Sequence, residues 1–147
     1  MAQEFIPADP NYEQRSRENF ESQEFMRHLG AKMTLIRPGF CEFELAFQPA
    51  WSQQHGFFHG GVVASLADVA GGYAAFSLLD TEATNVTVEF KVNFTASAAG
   101  EKLLARAAVL KRGKSLTISR TDVFEVGEGN EKLCATALAT YMAVVGR

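Results

Sequence analysis

Residues 60–80, GGVVASLADVAGGYAAFSLLD, decide the fold. Their periodicity is helical, yet apolar residues occupy nearly every face, so this helix belongs inside a protein or at an interface. It is expected to end near Asp80. On its C-terminal side, residues 85–96 (NVTVEFKVNFTA), 101–111 (EKLLARAAVLK), 114–126 (KSLTISRTDVFEV) and 131–145 (EKLCATALATYMAVV) alternate or run apolar, as strands do. Turns at Ala99-Gly100, Arg112-Gly113 and Gly127-Glu128-Gly129 separate them. On its N-terminal side, residues 31–37 (AKMTLIR) and 40–47 (FCEFELAF) form a hairpin across Pro38-Gly39, and residues 48–59 (QPAWSQQHGFFH) form a loop. Residues 11–29 read as a polar helix with an apolar stripe of Phe20, Phe25, Met26 and Leu29, ended by Gly30. The first ten residues, with Pro7 and Pro10, read as a loosely held arm. The sum is an α+β domain, an antiparallel sheet of about six strands wrapped around a central helix. Residues 1–30 supply the arm and flanking helix, and 31–147 the domain proper.

Composition narrows the function. The 147 residues are 47% hydrophobic and 21% charged, ordinary for a globular chain with one core. A formal net charge of −3 offers no broad basic field for nucleic acid. The longest mostly apolar stretch, Val62 to Leu79, is interrupted by Ser65, Asp68, Tyr73 and Ser77, so no membrane span is expected. The N-terminal MAQEFIPADP has early acids and no apolar core, unlike a secretory signal. Cys41 and Cys134 lack metal-type spacing and read as buried or half-buried thiols in a reducing cytoplasm. Three histidines without an acidic partner at ligand spacing argue against a metal site. The sheet has an edge to protect, which makes a homodimer the natural assembly.

Asp68 resists a bland explanation. It lies two turns into an apolar helix beside Val62, Val63, Leu66, Val69 and Ala70. A carboxylate there must be paired, hydrogen-bonded or raised in pKa. The helix opens with His59-Gly60-Gly61, where bare backbone N–H groups stand at the positive end of the helix dipole, a ready oxyanion hole. Eight residues of helix put about 12 Å between Gly60 and Asp68. One reacting carbon cannot touch both, so two antiparallel copies of this helix at a dimer interface would bring Asp68 of one subunit to Gly60 of the other. No G-x-S-x-G elbow is present, and Ser65 and Ser77 read as ordinary helix serines. Tyr73 and Phe76 read as core. Trp51, Phe57 and Phe58 either line a tunnel or pack the loop. The turn Lys111-Arg112-Gly113-Lys114 is either a solvated hairpin turn or a contact for a polyanionic ligand.

The string from Gln53 to Ala75, QQHGFFHGGVVASLADVAGGYAA, resembles the signature of hot-dog-fold thioesterases of the phenylacetate-pathway (PaaI-like) branch, and the likeness extends over most of the chain from about residue 30. That resemblance implies a sheet wrapped around a long helix, dimers pairing into tetramers, and hydrolysis of an acyl-CoA thioester. It implies Asp68 as general base or nucleophile, the Gly60 N–H as the group polarising the thioester carbonyl, and His59 as an organiser of the loop. Gln53 falls where the family often has asparagine, and Thr87 where some members use a serine to hold the attacking water. Gln53 is one methylene longer than asparagine, so Gln54 or His55 is the alternative for its role. Substrate contacts are then expected from His59, Gly61, His55, Phe58, Arg112 and Lys114, the last two reaching CoA phosphates. No cofactor is expected, since CoA is part of the substrate. An enoyl-CoA hydratase of the same fold and a non-catalytic acyl-CoA-binding module are the rivals.

Overall fold

The computed structural model describes residues 3–146. Two short helices, α1 (Tyr12–Glu21) and α2 (Glu24–Leu29), precede the hairpin β1 (Lys32–Arg37) and β2 (Phe40–Ala46). A single 3-10 turn, Pro49–Trp51, interrupts the loop before α3 (Gly60–Phe76). Strand β3 (Ala83–Phe94), which lies at a sheet edge beside β6, is followed by the meander β4 (Lys102–Arg112), β5 (Leu116–Gly127) and β6 (Asn130–Val145), which completes the chain. The strands form one antiparallel sheet in the order β1-β2-β4-β5-β6-β3. No helix among the described residues is long and apolar enough to cross a membrane.

The sheet curls around α3 because its inner face is small where the helix lies. Ala105 and Ala107 of β4, Ser119 and Thr121 of β5, and Ala135, Ala137 and Ala139 of β6 are all buried. Short side chains let the helix approach the sheet, and bulges in β1, β3, β4 and the β5–β6 ladder increase the local twist. Larger groups, Phe43, Leu45, Leu66, Leu103 and Val123, fill the remaining core. Cys41 and Cys134 are buried free thiols.

Three features differ from the sequence reading. The helix expected over residues 11–29 breaks at Ser22-Gln23, where Gln23 turns extended and its amide donates to the Tyr73 hydroxyl at 2.8 Å. That break brings Phe20 edge-on to Phe43 and Tyr73, a tertiary gain that local propensity does not register. The central helix stops at Phe76 rather than near Asp80. Ser77 Oγ donates to Ala74 O and accepts the Gly39 N–H, tying the β1–β2 turn beneath the helix end. The described part of the arm is anchored, not loose. Asp9 is buried and paired with Arg15 at 2.8 Å, and the Arg15 guanidinium donates to Leu79 O and Ala83 O while lying 4.4 Å over Phe76. Buried charge is tolerable when paired and hydrogen-bonded in this way.

Candidate active site

The start of α3 is held open by its cap. The His59 Nδ1 accepts the Gly61 N–H at 2.9 Å, and the His59 N–H donates to Trp51 O at 2.8 Å. Nδ1 as acceptor assigns the ring proton to Nε2 in the neutral imidazole. Between these two bonds the Gly60 N–H donates to no group among the described residues. It is an unsatisfied donor at the positive end of a 17-residue helix.

The preceding loop is shaped by Gln53. Its Oε1 accepts the His55 N–H at 2.5 Å and the Phe57 N–H at 3.4 Å, which leaves its amide NH₂ as the free end. Phe58 is buried edge-on against Phe47, and the Trp51 indole N–H donates to Leu29 O, so both fasten the loop to the core. Gln53, Phe57, Phe58, Gly60 and Phe94 border a cavity of about 380 Å³. His55 and His59 are exposed, as is Gln54, and none of the three borders it.

Asp68 occupies a second cavity. Its Oδ1 accepts the Thr87 hydroxyl at 3.0 Å. The Tyr141 hydroxyl stands 2.9 Å from the Asp68 backbone oxygen and 3.3 Å from Oδ1. Burial raises the Asp68 carboxyl above its ordinary range, opposed by the hydrogen bonds from Thr87 and Tyr141. The cavity, about 330 Å³, is bordered by Asp68, Ser65, Thr87, Asn85, Tyr73 and Gln23 among others. Asn85 donates to Gly72 O, and the Tyr73 hydroxyl donates to Asn19 Oδ1. Tyr73 is therefore core by its ring, as expected, and cavity wall by its hydroxyl.

The chain thus gathers the expected residues into two pairs, Gln53 with Gly60 and Asp68 with Thr87, and does not join them. The two pairs border separate cavities, and their helical members Gly60 and Asp68 lie about 12 Å apart along α3. Arg112 and Lys114 are exposed at the β4–β5 turn and border neither cavity. Tyr141 escaped the sequence reading. The available signal was its size: β6 presents Ala135, Ala137 and Ala139 inward, and then a tyrosine.

The sequence profile of the thioesterase superfamily matches residues 55–131. A thioesterase family protein from Silicibacter pomeroyi has a crystal structure 44% identical to this chain, with a TM-score of 0.90 over 92% of this chain and 99% of that one. The PaaI protein from the phenylacetic acid degradation operon of Escherichia coli shares the fold, with a TM-score of 0.83 at 23% identity over 95% of this chain and 97% of that one. The medium/long-chain acyl-CoA thioesterase of Escherichia coli is 26% identical over 80% of this chain and 84% of its own length.

Proposed function

Given that the chain belongs to the thioesterase superfamily, we propose that it hydrolyses an acyl-CoA thioester in the cytoplasm, at a site shared between two subunits. The observation that carries this reading is the separation of an unsatisfied Gly60 N–H from a half-buried Asp68 carboxylate on one helix. A dimer that sets two α3 helices antiparallel brings each Gly60 to the partner's Asp68. The free edge strand supports that assembly. β3 runs 12 residues unpaired on one side and exposes Val86, Val88, Phe90 and Phe94, an aggregation hazard unless a second β3 covers it. Leu110, Leu116, Leu138 and Met142 are also exposed, which favours pairing of dimers into a tetramer through the outer sheet face.

In the reaction, the thioester oxygen accepts the Gly60 N–H while Asp68 of the other subunit removes a proton from water. The water oxygen bonds to the carbonyl carbon, negative charge on the carbonyl oxygen is stabilised by the helix start, and the C–S bond then breaks to release the CoA thiolate. Direct attack by Asp68, giving an anhydride that water cleaves, is the second route to the same products. Thr87 holds the carboxylate and the free amide of Gln53 orients the water or carbonyl. His59 and Gly61 keep the helix start in shape, and His55 and Phe58 flank the acyl entry. Arg112 and Lys114, which make no ion pair among the described residues, are free to meet CoA phosphates. The thiolate leaves without assistance from any cofactor. The name of the Escherichia coli acyl-CoA thioesterase supports CoA as the carrier.

Thiol release measured across short-chain, medium-chain, long-chain and aryl acyl-CoA substrates tests the reading. Turnover of at least one is expected. Tight binding without thiol release would assign a binding module instead, and hydration of crotonyl-CoA without CoA release would assign a hydratase.

A further inference from the structure

Beside Asp68, at the buried end of Tyr141, the residues Tyr141, Ser119 and Gly71 come together. Tyr141 and Ser119 are 2% and 1% exposed, on neighbouring strands β6 and β5. They are accommodated by the absence of a side chain on α3. A Cβ on Gly71 would run into the Tyr141 hydroxyl and stand 2.7 Å from Ser119 Oγ. Glycine in a helix interior lowers helix propensity relative to alanine, so a compensating role is expected at buried Gly71. Here the glycine admits a phenol within 3.3 Å of the candidate catalytic carboxylate.

We propose that Tyr141 is a positioning residue for Asp68, with Gly71 as the opening that lets its hydroxyl reach the carboxylate while Thr87 holds it from the sheet edge. The inference rests on the reading of Asp68 as base or nucleophile. The phenol proton has two acceptors on one residue, Asp68 O at 2.9 Å and Oδ1 at 3.3 Å. The backbone oxygen already lies in the hydrogen-bonded interior of α3. The proton is therefore free to turn to Oδ1 when Asp68 is ionised and back to the backbone when Asp68 has taken a proton. Burial first, and the charge of Asp68 second, push the Tyr141 phenol well above its ordinary range, so it stays a donor at any working pH.

The groups facing Asp68 are otherwise uncharged. Thr87 and Asn85 come from β3, Tyr141 from β6, Asn19 from α1, Gln23 from the break before α2, and Ser65, Gly72 and Tyr73 from α3 itself. Tyr141 and Tyr73 are the titratable ones among them. With no cation among the described residues that border this cavity, the hydroxyls of Thr87 and Tyr141 favour its ionised form against burial.

Titration of the aspartate carboxyl carbons by ¹³C NMR in the full chain tests this, with the Asp68 signal assigned by its loss in Asp68→Asn. In Tyr141→Phe, which deletes one oxygen, the Asp68 midpoint should move to higher pH. Gly71→Ala, which displaces the phenol, should move it the same way. With octanoyl-CoA as probe, Tyr141→Phe should lower kcat about tenfold at unchanged KM, and the acid limb of kcat/KM should shift upward with the carboxyl. An unmoved midpoint in a Tyr141→Phe protein with a native amide spectrum would overturn the proposal. The two readings fail separately. Retained turnover in Asp68→Asn removes the catalytic role of Asp68, while the carboxyl titration still reports whether Tyr141 acts on it.

Discussion

Asp68→Asn should lower kcat for thioester hydrolysis by about 10³-fold, the scale of a lost general base, and at neutral pH should make the folded protein more stable. The first half follows from chemistry: asparagine keeps the shape and accepts the same hydrogen bond from Thr87, but cannot take a proton. The second half follows from the direction of the Asp68 shift. Its carboxyl is raised in the folded state, chiefly by burial. The unfolded chain therefore releases that proton more readily than the folded one, and folding is disfavoured once pH exceeds the unfolded value. Below the ordinary aspartate value of 3.8 the side chain is neutral in both states and the penalty disappears. Urea denaturation should thus show Asp68→Asn above wild type at pH 7.5, with the gap closing as pH falls toward that value. Equal stability at pH 7.5 would mean that the carboxylate is not held against its solvation preference.

A second large effect is expected from the free edge. Lysines at Val88 and Phe90 place two cations along a strand whose unpaired backbone and exposed apolar groups favour a second copy. The double variant should sediment as a monomer and lose at least about 10³-fold in kcat/KM, although Asp68, Thr87, Gln53 and Gly60 are untouched, because an oxyanion donor and a base act together or scarcely at all. A monomeric variant with near-wild-type turnover would show that one chain holds a complete site.

What was legible in the sequence is what local pattern controls. The apolar helix, the Pro38-Gly39 hairpin and the four long strands each carry their own periodicity or turn chemistry, and all are present. The break at Gln23 and the helix end at Ser77 depend on partners fifty and thirty-eight residues away, Tyr73 and Gly39, so no local window contains them. The Thr87–Asp68 bond was legible only through the register of β3. A bulge between Thr87 and Glu89 shows how narrow that margin is, since a slip of one residue turns each side chain to the other face. Tyr141 offered only its size as a signal: seventy-three residues separate it from Asp68, and only the folded sheet brings them together.

The central claim is that one active site takes its oxyanion donor and its carboxylate from different subunits. Subunits carrying Asp68→Asn, mixed and reassembled with subunits carrying Gly60→Pro, test it most directly. Proline is tolerated at the first helical position and removes the N–H in question. Each variant alone should be inactive. At equal mixing half the dimers are mixed, and each holds one intact site of two, so about a quarter of wild-type activity should return. No recovery, with mixed dimers demonstrably formed, would contradict the shared site.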